Sequence, residues 1–528
     1  ERVPAVASSP FTVPLISAID EPGEFLDGVI GIFLKDEHGE HNLFGTLNKV
    51  LYENLCAASG VSPGAELTKP LIWPSAAKMP VAKLVDTYFA GTPLHALLSS
   101  PYPFSLPDEQ RFAGHWIIAP PGRGKTTLLH AMVADDLTKD ASIVLMDSKG
   151  DLIEAFRDVK EIEDRLVLID PDPQHPISIN PLDIPRTEIG HAIDLLEYLF
   201  ASLLEFKMTP TQTMLFRSVL RLIVTEIPNP TLDIFRDLLG NGTKKYEQYV
   251  EKLSPDLRDF FRNDYNDVNF SARRREVLQR LRLLLDNDTM NAMLLSVRTR
   301  FVIDDALDTG KVVIINNSKS RLGEQGAEFF GRFFIAQILA AAQRRSSRKQ
   351  SDKKPVYFYI DEAHNVIGRD ERIPTILDEC RSQKIALILA HQRTNQITSP
   401  NVRSALENCA IRFANSDDEA RSLSYSLRTS PDFLQSFGQG RFAAYVRDVT
   451  KSAIAIEVTK PDLAKYERLS AAEQVQLKAR MEQQYGRQSA AAAEPSKPDA
   501  KPDPKKAAEP EADEPTVATD PGEPSDKW

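Results

Sequence analysis

Residues Ile117–Thr127 read IIAPPGRGKTT, and the apolar run Trp116–Ile118 leads directly into them. The sequence that follows, LLHAMVADDL, has the composition of a helix. A strand, a glycine-rich loop ending in Lys-Thr and a helix form the context in which a Walker A motif binds phosphates, because backbone N–H groups and the positive helix end surround an anion. The predicted nucleotide-binding residues are Gly122, Arg123, Gly124, Lys125, Thr126 and Thr127.

This loop departs from the usual motif at its start. Ala119 replaces the first glycine, and Pro120 and Pro121 have no N–H to donate. The donors that a phosphate needs come later in the loop, so we expect binding to survive. Lys125 is predicted to be a catalytic residue that reaches the β- and γ-phosphates, and the Thr126 hydroxyl is predicted to ligate magnesium. The predicted cofactors are therefore ATP and Mg²⁺.

A pair of acids ends the apolar run VYFYIDEAH at Val356–His364. Asp361 is predicted to hold the magnesium ion, and Glu362 to act as a catalytic residue that polarises the attacking water. The alternative is that the pair caps the next helix. His364 is predicted to be structural.

Two further catalytic residues are predicted around the next apolar run. Gln392 ends that run and is predicted to sense the γ-phosphate, because the ends of neighbouring parallel strands converge. Arg381, in LDECRSQK, is a candidate arginine finger for the nucleotide of a neighbouring subunit. Arg393 and Arg412 compete for that role, and for each arginine a surface ion pair is the alternative.

The fold class is predicted from the distribution of apolar runs. Short continuous runs begin near Ala141, Arg165, Lys311, Pro355 and Lys384, which is typical of parallel strands buried on both faces. Helical spacing lies between them, so the sequence predicts a doubly wound α/β fold. An all-α insertion interrupts it, because strand patterns nearly vanish between residues 187 and 299. Residues 440–458 alternate like a hairpin, and GVIGIFLKD at 28–36 is predicted to be strand-like.

Six segments follow from these patterns: an N-terminal α/β region (1–103), the first part of the nucleotide-binding domain (104–186), the all-α insertion (187–299), the second part of the nucleotide-binding domain (300–470), a C-terminal helix (471–487) and an acidic tail (488–528). The tail contains mainly Ala, Pro, Glu, Asp and Lys and is predicted to be disordered.

Composition narrows the class of protein. The 528 residues are 42% hydrophobic and 26% charged, as in soluble globular proteins. The net charge of -11 argues against a protein coated in nucleic acid, but is compatible with a local basic channel. Two basic clusters, residues 271–282 and 341–354, are candidate nucleic-acid contacts or merely solubilising surfaces. The three cysteines contain no CxxC pair, which favours a reducing cytoplasm.

Two short motifs have several interpretations. In MDSKGD, Lys149 is predicted to contact the nucleotide edge or a subunit joint, with a plain turn as the alternative. The motif NPLD at Asn180–Asp183 stays equally open.

Taken together, the sequence resembles the FtsK/HerA superfamily of P-loop ATPases, and within it the coupling proteins of type IV secretion, the conjugative DNA-transfer ATPases of the TraD/TraG type. The motifs that carry the resemblance are, in order, APPGRGKTT, VLMDSKGD, NPLD, VYFYIDEAH, CRSQ and LAHQ. They cover roughly residues 104–458.

The resemblance implies a RecA-like core, a homo-oligomer expected to be a hexamer, and DNA in its central channel. It matches Arg381 to the trans arginine and Gln392 to the sensor. It also implies a secretion apparatus or relaxase-type protein as partner, and a cytoplasmic location at or near the inner membrane. The family's N-terminal membrane helices are not found in this sequence, so attachment through partners and through an anchor preceding Glu1 both stay open.

Three hypotheses about function follow. The first is an ATP-hydrolysing DNA translocase or coupling ATPase that moves DNA or nucleoprotein. The second is a nucleotide-dependent docking platform that recruits protein cargo. The third is a HerA-type repair motor, which shares the chemistry and differs in its partner.

Overall fold

An 11-stranded sheet forms the centre of the computed structural model, within the residues that it describes: 9–35, 44–64, 69–183, 189–201 and 209–487, without the side chains of 191, 192, 195 and 201. The strands occur in the spatial order β2-β1-β11-β10-β9-β3-β8-β7-β4-β6-β5. They are β1 (Phe11–Pro14), β2 (Pro101–Phe104), β3 (His115–Ile118), β4 (Ser142–Asp147), β5 (Leu166–Ile169), β6 (Val312–Asn316), β7 (Val356–Ile360), β8 (Ile385–His391), β9 (Ile411–Ala414), β10 (Arg441–Val446) and β11 (Ile454–Val458).

The strands from β5 to β9 in this order are all parallel. Every residue of β3, β4, β7 and β8 is buried, as continuous apolar runs require when helices cover both faces of a sheet. β3 lies between β8 and β9, and β7 lies beyond β8. The carboxyl ends of β3, β8 and β7 therefore meet at one edge, and the predicted mainly parallel sheet is confirmed.

Antiparallel strands complete the sheet beyond β9. β10 pairs with β9 and with β11, so the predicted hairpin over residues 440–458 is present, with Arg441 opposite Glu457. β1 then pairs with β11, and β2 with β1. Strands from the N-terminal region thus extend the same sheet.

Helices cover the sheet on both sides. Those before the insertion are α1 (Pro22–Phe33), α2 (Gly45–Ser59), α3 (Val81–Tyr88), α4 (Pro93–Leu98), α5 (Asp108–Phe112), α6 (Lys125–Asp136) and α7 (Asp151–Phe156). Those after it are α15 (Ile303–Asp308), α16 (Lys319–Arg345, interrupted at Gly323), α17 (His364–Ile367), α18 (Ile373–Ser382), α19 (Pro400–Glu407), α20 (Ala420–Ser426), α21 (Pro431–Gln435) and α22 (Ala471–Tyr485).

The predicted insertion contains helices and no strand within its described residues. It contains α8 (Ile189–Ala201), α9 (Pro210–Glu226), α10 (Leu232–Asn241), α11 (Glu247–Val250), α12 (Pro255–Asp259), α13 (Val268–Leu285) and α14 (Asp288–Leu294), with a π-helical turn at Phe260–Asp264. Short 3₁₀ helices occur at Leu15–Ala18, Pro74–Ala76, Lys160–Arg165, Lys244–Tyr246, Gln350–Asp352, Thr394–Gln396 and Leu463–Lys465.

The NPLD motif joins the two chain segments that enter and leave this insertion. Asn180 Nδ2 donates to the carbonyl of Val297 at 2.9 Å, and its backbone N–H donates to Thr299 Oγ1 at 2.8 Å. Asp183 accepts from Arg298 at 2.9 Å and from the backbone N–H of Thr299 at 2.8 Å. The motif therefore holds together the two chain segments at the base of the insertion. The residue bounds of the six segments stay a prediction.

The strand predicted at residues 28–36 is wrong for the part that the structure describes. Pro22–Phe33 form α1, whose buried Leu26 and Ile30 lie four residues apart on one helical face. Pro22 stands in the first turn, where a missing N–H costs nothing. The apolar positions of this segment satisfy a helical period, and packing against α2 and α3 selects it.

The described residues all lie in one compact unit, Glu1–Arg487. The prediction of a disordered tail concerns residues 488–528, which lie outside the described residues. Across the described part of the chain, no helix combines the length and the apolar character needed to cross a membrane. All three cysteines are buried and unlinked.

Candidate active site

The glycine-rich loop connects β3 to α6 and depends on two glycines. Gly122 has a φ of 81° and Gly124 a φ of 100°, which L side chains rarely adopt. A Cβ on Gly124 would also lie 3.1 Å from the backbone nitrogen of Gly440. Lys125 and Thr126 begin α6, whose first-turn N–H groups have no acceptor within a helix. The loop therefore has the donors of an anion site.

Lys125 contacts both predicted acids, although they lie far along the chain. Its Nζ donates to Asp361 Oδ1 and, at 2.9 Å, to Glu362 Oε1. All three residues are buried, with 8%, 5% and 2% exposure respectively. Asp361 Oδ1 also accepts from the backbone N–H of Glu362 at 2.8 Å. The carboxyl end of β7 is thus joined directly to the glycine-rich loop.

Two further donors converge on the same oxygen of Glu362. Lys149 Nζ lies 2.6 Å and Gln392 Nε2 2.8 Å from Oε1. The other oxygen, Oε2, is buried without a hydrogen bond among the described residues, although His364 Nδ1 is 3.5 Å away. Glu362 also has a φ of 52°, a strained conformation for a residue with a side chain. Oε1 of Glu362 therefore accepts three hydrogen bonds, and Oε2 is available to accept a further one.

The electrostatics of these residues follow from their contacts. Burial raises the pKa of Glu362, but the charge of Lys125 and the bonds from Lys149, Gln392 and Lys125 outweigh it and bring the pKa to about 2. Burial lowers the pKa of Lys125, and the two carboxylates raise it above its ordinary value. The lysine is therefore charged and Glu362 ionised at neutral pH.

The DSKGD motif, which the sequence left open, has two separate roles. Asp147 accepts from the backbone N–H groups of Lys149, Gly150 and Leu152 at 2.8, 3.0 and 2.9 Å, so it fixes the turn after β4. That turn directs Lys149 towards Glu362. The plain turn is thus present, and the contact of Lys149 with a nucleotide stays a prediction.

Sequence reasoning missed the role of His391, which ends β8 immediately before Gln392. Its Nε2 accepts from Trp116 Nε1 at 2.8 Å, and its Nδ1 donates to the carbonyl of Arg393 at 2.9 Å. Burial lowers its pKa to about 4, so the ring is neutral and can accept from Trp116. The pair links β3 to the chain on both sides of Gln392. Its sequence signal was weak, because Trp116 and His391 are distant in the chain.

The loop after β9 was also missed, and it holds the glycine-rich loop from the other side. Arg123 donates to Asp417 and, at 3.1 Å, to the carbonyl of Phe437. Asn415 Nδ2 donates to the carbonyls of Gly438 and Arg441, both at 2.8 Å. The side chain of Arg123 is thus bonded to Asp417 and Phe437 in this structure. Its predicted role in cofactor binding stays a prediction.

The three candidate arginine fingers occupy different places. Arg381 is exposed near the end of α18, before β8 begins, and with Asp378 and Arg447 it lines a cavity of about 300 Å³. Arg393 follows Gln392 at the opposite end of β8. Arg412 lies within β9, is 8% exposed and packs 4.2 Å from the Tyr445 ring. Burial of Arg412 removes it from contact with a second subunit, whereas Arg381 is accessible.

The basic cluster at residues 341–354 is largely paired with carboxylates. Arg344 contacts Asp304, Arg345 and Arg348 contact Asp308, and Lys354 contacts Asp140. These pairs favour the interpretation of a structural connection over a phosphate-seeking loop. In the cluster at 271–282, Arg275 and Arg282 are exposed on α13.

The residues at this site fit a magnesium nucleotide. Phosphate would take the N–H groups of the loop and the ammonium of Lys125. Oxygen ligands, which Mg²⁺ requires, are offered by Thr126 and Asp361. No cluster of three or more His, Cys, Asp or Glu side chains suited to a metal occurs among the described residues. These assignments stay predictions.

Comparisons with known proteins support the fold. No protein-family model matches the sequence, and no curated protein matches it. The plasmid coupling protein TrwB in complex with ADP and Mg²⁺ is 13% identical, with a TM-score of 0.51 over 72% of this chain and 91% of that one.

Two other structures of the same protein agree. Bacterial conjugative coupling protein TrwBdeltaN70, in a trigonal form with sulphate, is 13% identical, with a TM-score of 0.51 over 70% of this chain and 89% of that one. TrwB with the non-hydrolysable ATP analogue ADPNP gives the same identity and coverages and a TM-score of 0.50. The predicted resemblance is confirmed at the level of the fold: this chain has the fold of the conjugative coupling protein TrwB.

Proposed function

We propose that this protein is an ATP-hydrolysing DNA translocase or coupling ATPase that moves DNA or nucleoprotein for conjugative or type IV secretion transfer. The observation that carries the proposal is the convergence of Lys125, Lys149 and Gln392 on one oxygen of Glu362 beside the glycine-rich loop. Phosphoryl transfer to water requires cationic and hydrogen-bonding donors beside a carboxylate that activates the water, and these residues supply both. One TrwB structure contains ADP and Mg²⁺ and another contains an ATP analogue, which supports ATP and Mg²⁺ as cofactors here.

In the proposed chemistry, Glu362 orients and deprotonates the attacking water through Oε2, the oxygen that has no hydrogen bond among the described residues. Lys125 and Gln392 bind the terminal phosphate. The donors that hold the pKa of Glu362 at about 2 are those that a phosphate attracts. Their transfer to phosphate raises the pKa of Glu362 and makes it a stronger base. Bound Mg²⁺, held by Thr126 and Asp361, would supply neutralisation of the phosphate charge.

Arg381 acts on the nucleotide of a neighbouring subunit in this proposal. It precedes β8, whereas Gln392 follows it, and the seven residues of β8 span roughly 20 Å. Arg381 is therefore too far from the Gln392 end of the sheet to serve its own subunit. Its exposure beside a cavity suits contact with a second copy. Repeating this contact between copies of the chain would form a ring, expected to be a hexamer, with DNA in its centre.

The partners and location belong to the same proposal. A secretion apparatus or relaxase-type protein would deliver the substrate, and the protein would work in the cytoplasm at or near the inner membrane. The fold of TrwB supports this assignment, and TrwB is itself described as a plasmid coupling protein.

The test is ATP hydrolysis by the purified chain, alone and with single- or double-stranded DNA. We expect activity that DNA stimulates and that Glu362→Gln lowers by 10² or more, as estimates for general bases suggest. Lys125→Ala should abolish it. Absence of hydrolysis under every condition, or activity unaffected by either change, would refute the proposal.

The docking platform remains a second candidate because the basic cluster at residues 341–354 is paired with carboxylates. Neutralising Arg275 and Arg282, which are exposed on α13, discriminates the two functions. Under the translocase proposal DNA binding weakens and its salt dependence flattens. Under the docking proposal both stay unchanged.

A further inference from the structure

Three adjacent residues after β9 carry buried polar atoms without a hydrogen-bond partner among the described residues. They are Asn415 Oδ1, Ser416 Oγ and Asp417 Oδ1. Asn415 is 0% exposed and Ser416 1% exposed. Buried polar groups are normally paired, since an unpaired one costs about 1–3 kcal/mol, so these three atoms have hydrogen-bonding capacity that a ligand would satisfy. The Asp417 side chain as a whole is 39% exposed.

The orientation of Asn415 follows from its contacts. Its Nδ2 donates to the carbonyls of Gly438 and Arg441 at 2.8 Å, and an amide oxygen could not face those carbonyls. The acceptor oxygen is therefore the atom left without a partner. Asp417 is oriented similarly, because Arg123 takes its Oδ2 and leaves Oδ1. The segment thus offers two acceptors and one hydroxyl.

This segment lies against the glycine-rich loop on the side away from the catalytic carboxylate. The backbone N–H of Asn415 donates to the carbonyl of Ile118 at 3.0 Å, directly before the loop. Glu362 and Gln392 follow β7 and β8, on the other side of β3. A nucleotide whose terminal phosphate meets Glu362 must therefore extend its nucleoside half towards β9.

We propose that Ser416, with Asn415 Oδ1 and Asp417 Oδ1, forms a subsite for the hydrogen-bond donors of the nucleoside half of the bound nucleotide. This inference rests on the proposed function, because it needs a nucleotide in the loop. Donors of this kind are the ribose hydroxyls and the amino group of the base. Ser416 is the informative position, since its hydroxyl makes no bond that its removal would break.

The experiment compares the full-length chain with Ser416→Ala by calorimetric titration with ATP and with inorganic tripolyphosphate, each with magnesium. We expect Ser416→Ala to weaken ATP binding about tenfold and to leave tripolyphosphate binding unchanged. The matched control is Ser426→Ala, a buried serine that bonds only the carbonyl of Leu423 and should alter neither. The melting temperature without nucleotide should not fall in Ser416→Ala.

Nucleotide analogues distinguish the two sources of donors. If 2′-deoxy- or 3′-deoxy-ATP binds more weakly than ATP to the wild type but equally to Ser416→Ala, the hydroxyl contacts the ribose. If inosine triphosphate, which lacks the amino group of adenine, binds more weakly than ATP to the wild type but equally to Ser416→Ala, the Ser416 hydroxyl contacts the base. Unchanged ATP affinity in Ser416→Ala overturns the subsite and leaves the proposed function intact. A wild type that binds neither ATP nor tripolyphosphate overturns the proposed function itself.

Discussion

Lys125 and Asp361 are 236 residues apart in the chain, and their side chains form a buried ion pair at the carboxyl edge of the sheet. The contact exists because β3 and β7 are separated only by β8. It brings the glycine-rich loop and the acid pair to one place, which is the arrangement that nucleotide hydrolysis requires.

Removing the ammonium of Lys125 should destabilise the nucleotide-free protein. Lys125→Ala removes the positive charge that is paired with the two buried carboxylates. We therefore expect the free energy of unfolding to fall by about 3 kcal/mol. Lys149→Ala is the matched control: it contacts the same oxygen of Glu362 but its side chain is 48% exposed, and it should cost less than about 1 kcal/mol. Urea unfolding measures both. Equal losses would contradict the buried pair.

Adding Glu362→Gln to Lys125→Ala should restore part of the lost stability, because it removes one of the uncompensated charges. The two changes would then be non-additive, as contacting residues are. A strictly additive double variant would indicate that the lysine and the glutamate do not interact in solution.

Gly124 should tolerate no side chain. A Cβ there meets both an unfavourable φ of 100° and the backbone of Gly440 at 3.1 Å, so Gly124→Ala should cost about 2 kcal/mol and weaken ATP binding. Gly122 has a φ of 81° but nothing within 4 Å of a Cβ, so Gly122→Ala should cost about 1 kcal/mol. Urea unfolding and titration with ATP give the comparison. The prediction fails if Gly122→Ala is the more damaging change.

His391 should make stability depend on pH below neutrality. Its pKa is about 4 in the folded protein because burial disfavours the charged ring, against an ordinary value of 6.5. The unfolded chain therefore binds a proton first, and stability falls as the pH drops from 6.5 towards 4. From pH 7 to pH 5 the loss from this residue is about 2 kcal/mol.

The measurement is urea unfolding of the wild type and of His391→Gln at both pH values. Groups other than His391 titrate in both proteins, so the difference between their losses isolates the imidazole. The wild type should lose about 2 kcal/mol more than the variant. An equal loss in the two proteins would show that the ring is not held neutral between Trp116 and Arg393.

Arg381 should act between subunits. Arg381→Ala and Lys125→Ala should each be inactive alone, because the first lacks the finger and the second lacks the phosphate contact. Mixed rings contain joints in which an intact Lys125 meets an intact Arg381, so mixing the two should restore part of the hydrolysis. Arg393→Ala mixed with Lys125→Ala serves as the comparison. No recovery with Arg381→Ala, together with recovery using Arg393→Ala, would assign the finger to Arg393.

Local pattern was enough to predict the parallel strands, the glycine-rich loop and the acid pair. Each is encoded in neighbouring residues: β4, β7 and β8 are continuous apolar runs, and the loop needs glycine at positions of positive φ. Their meeting also followed, because polar residues at the ends of neighbouring parallel strands converge. The segment Pro22–Phe33 was misjudged because a short apolar run satisfies a strand or a helix, and only packing chooses.

The sequence by itself thus determined which chemical groups the site contains and on which strands they lie. Only the tertiary structure decided which of them touch. Three hydrogen bonds join side chains that are more than 200 positions apart and belong to different parts of the fold: Lys149 to Glu362, Trp116 to His391 and Arg123 to Asp417. Such contacts depend on strand order and on the path of the loops, and these are set by packing across the whole sheet rather than by any local pattern.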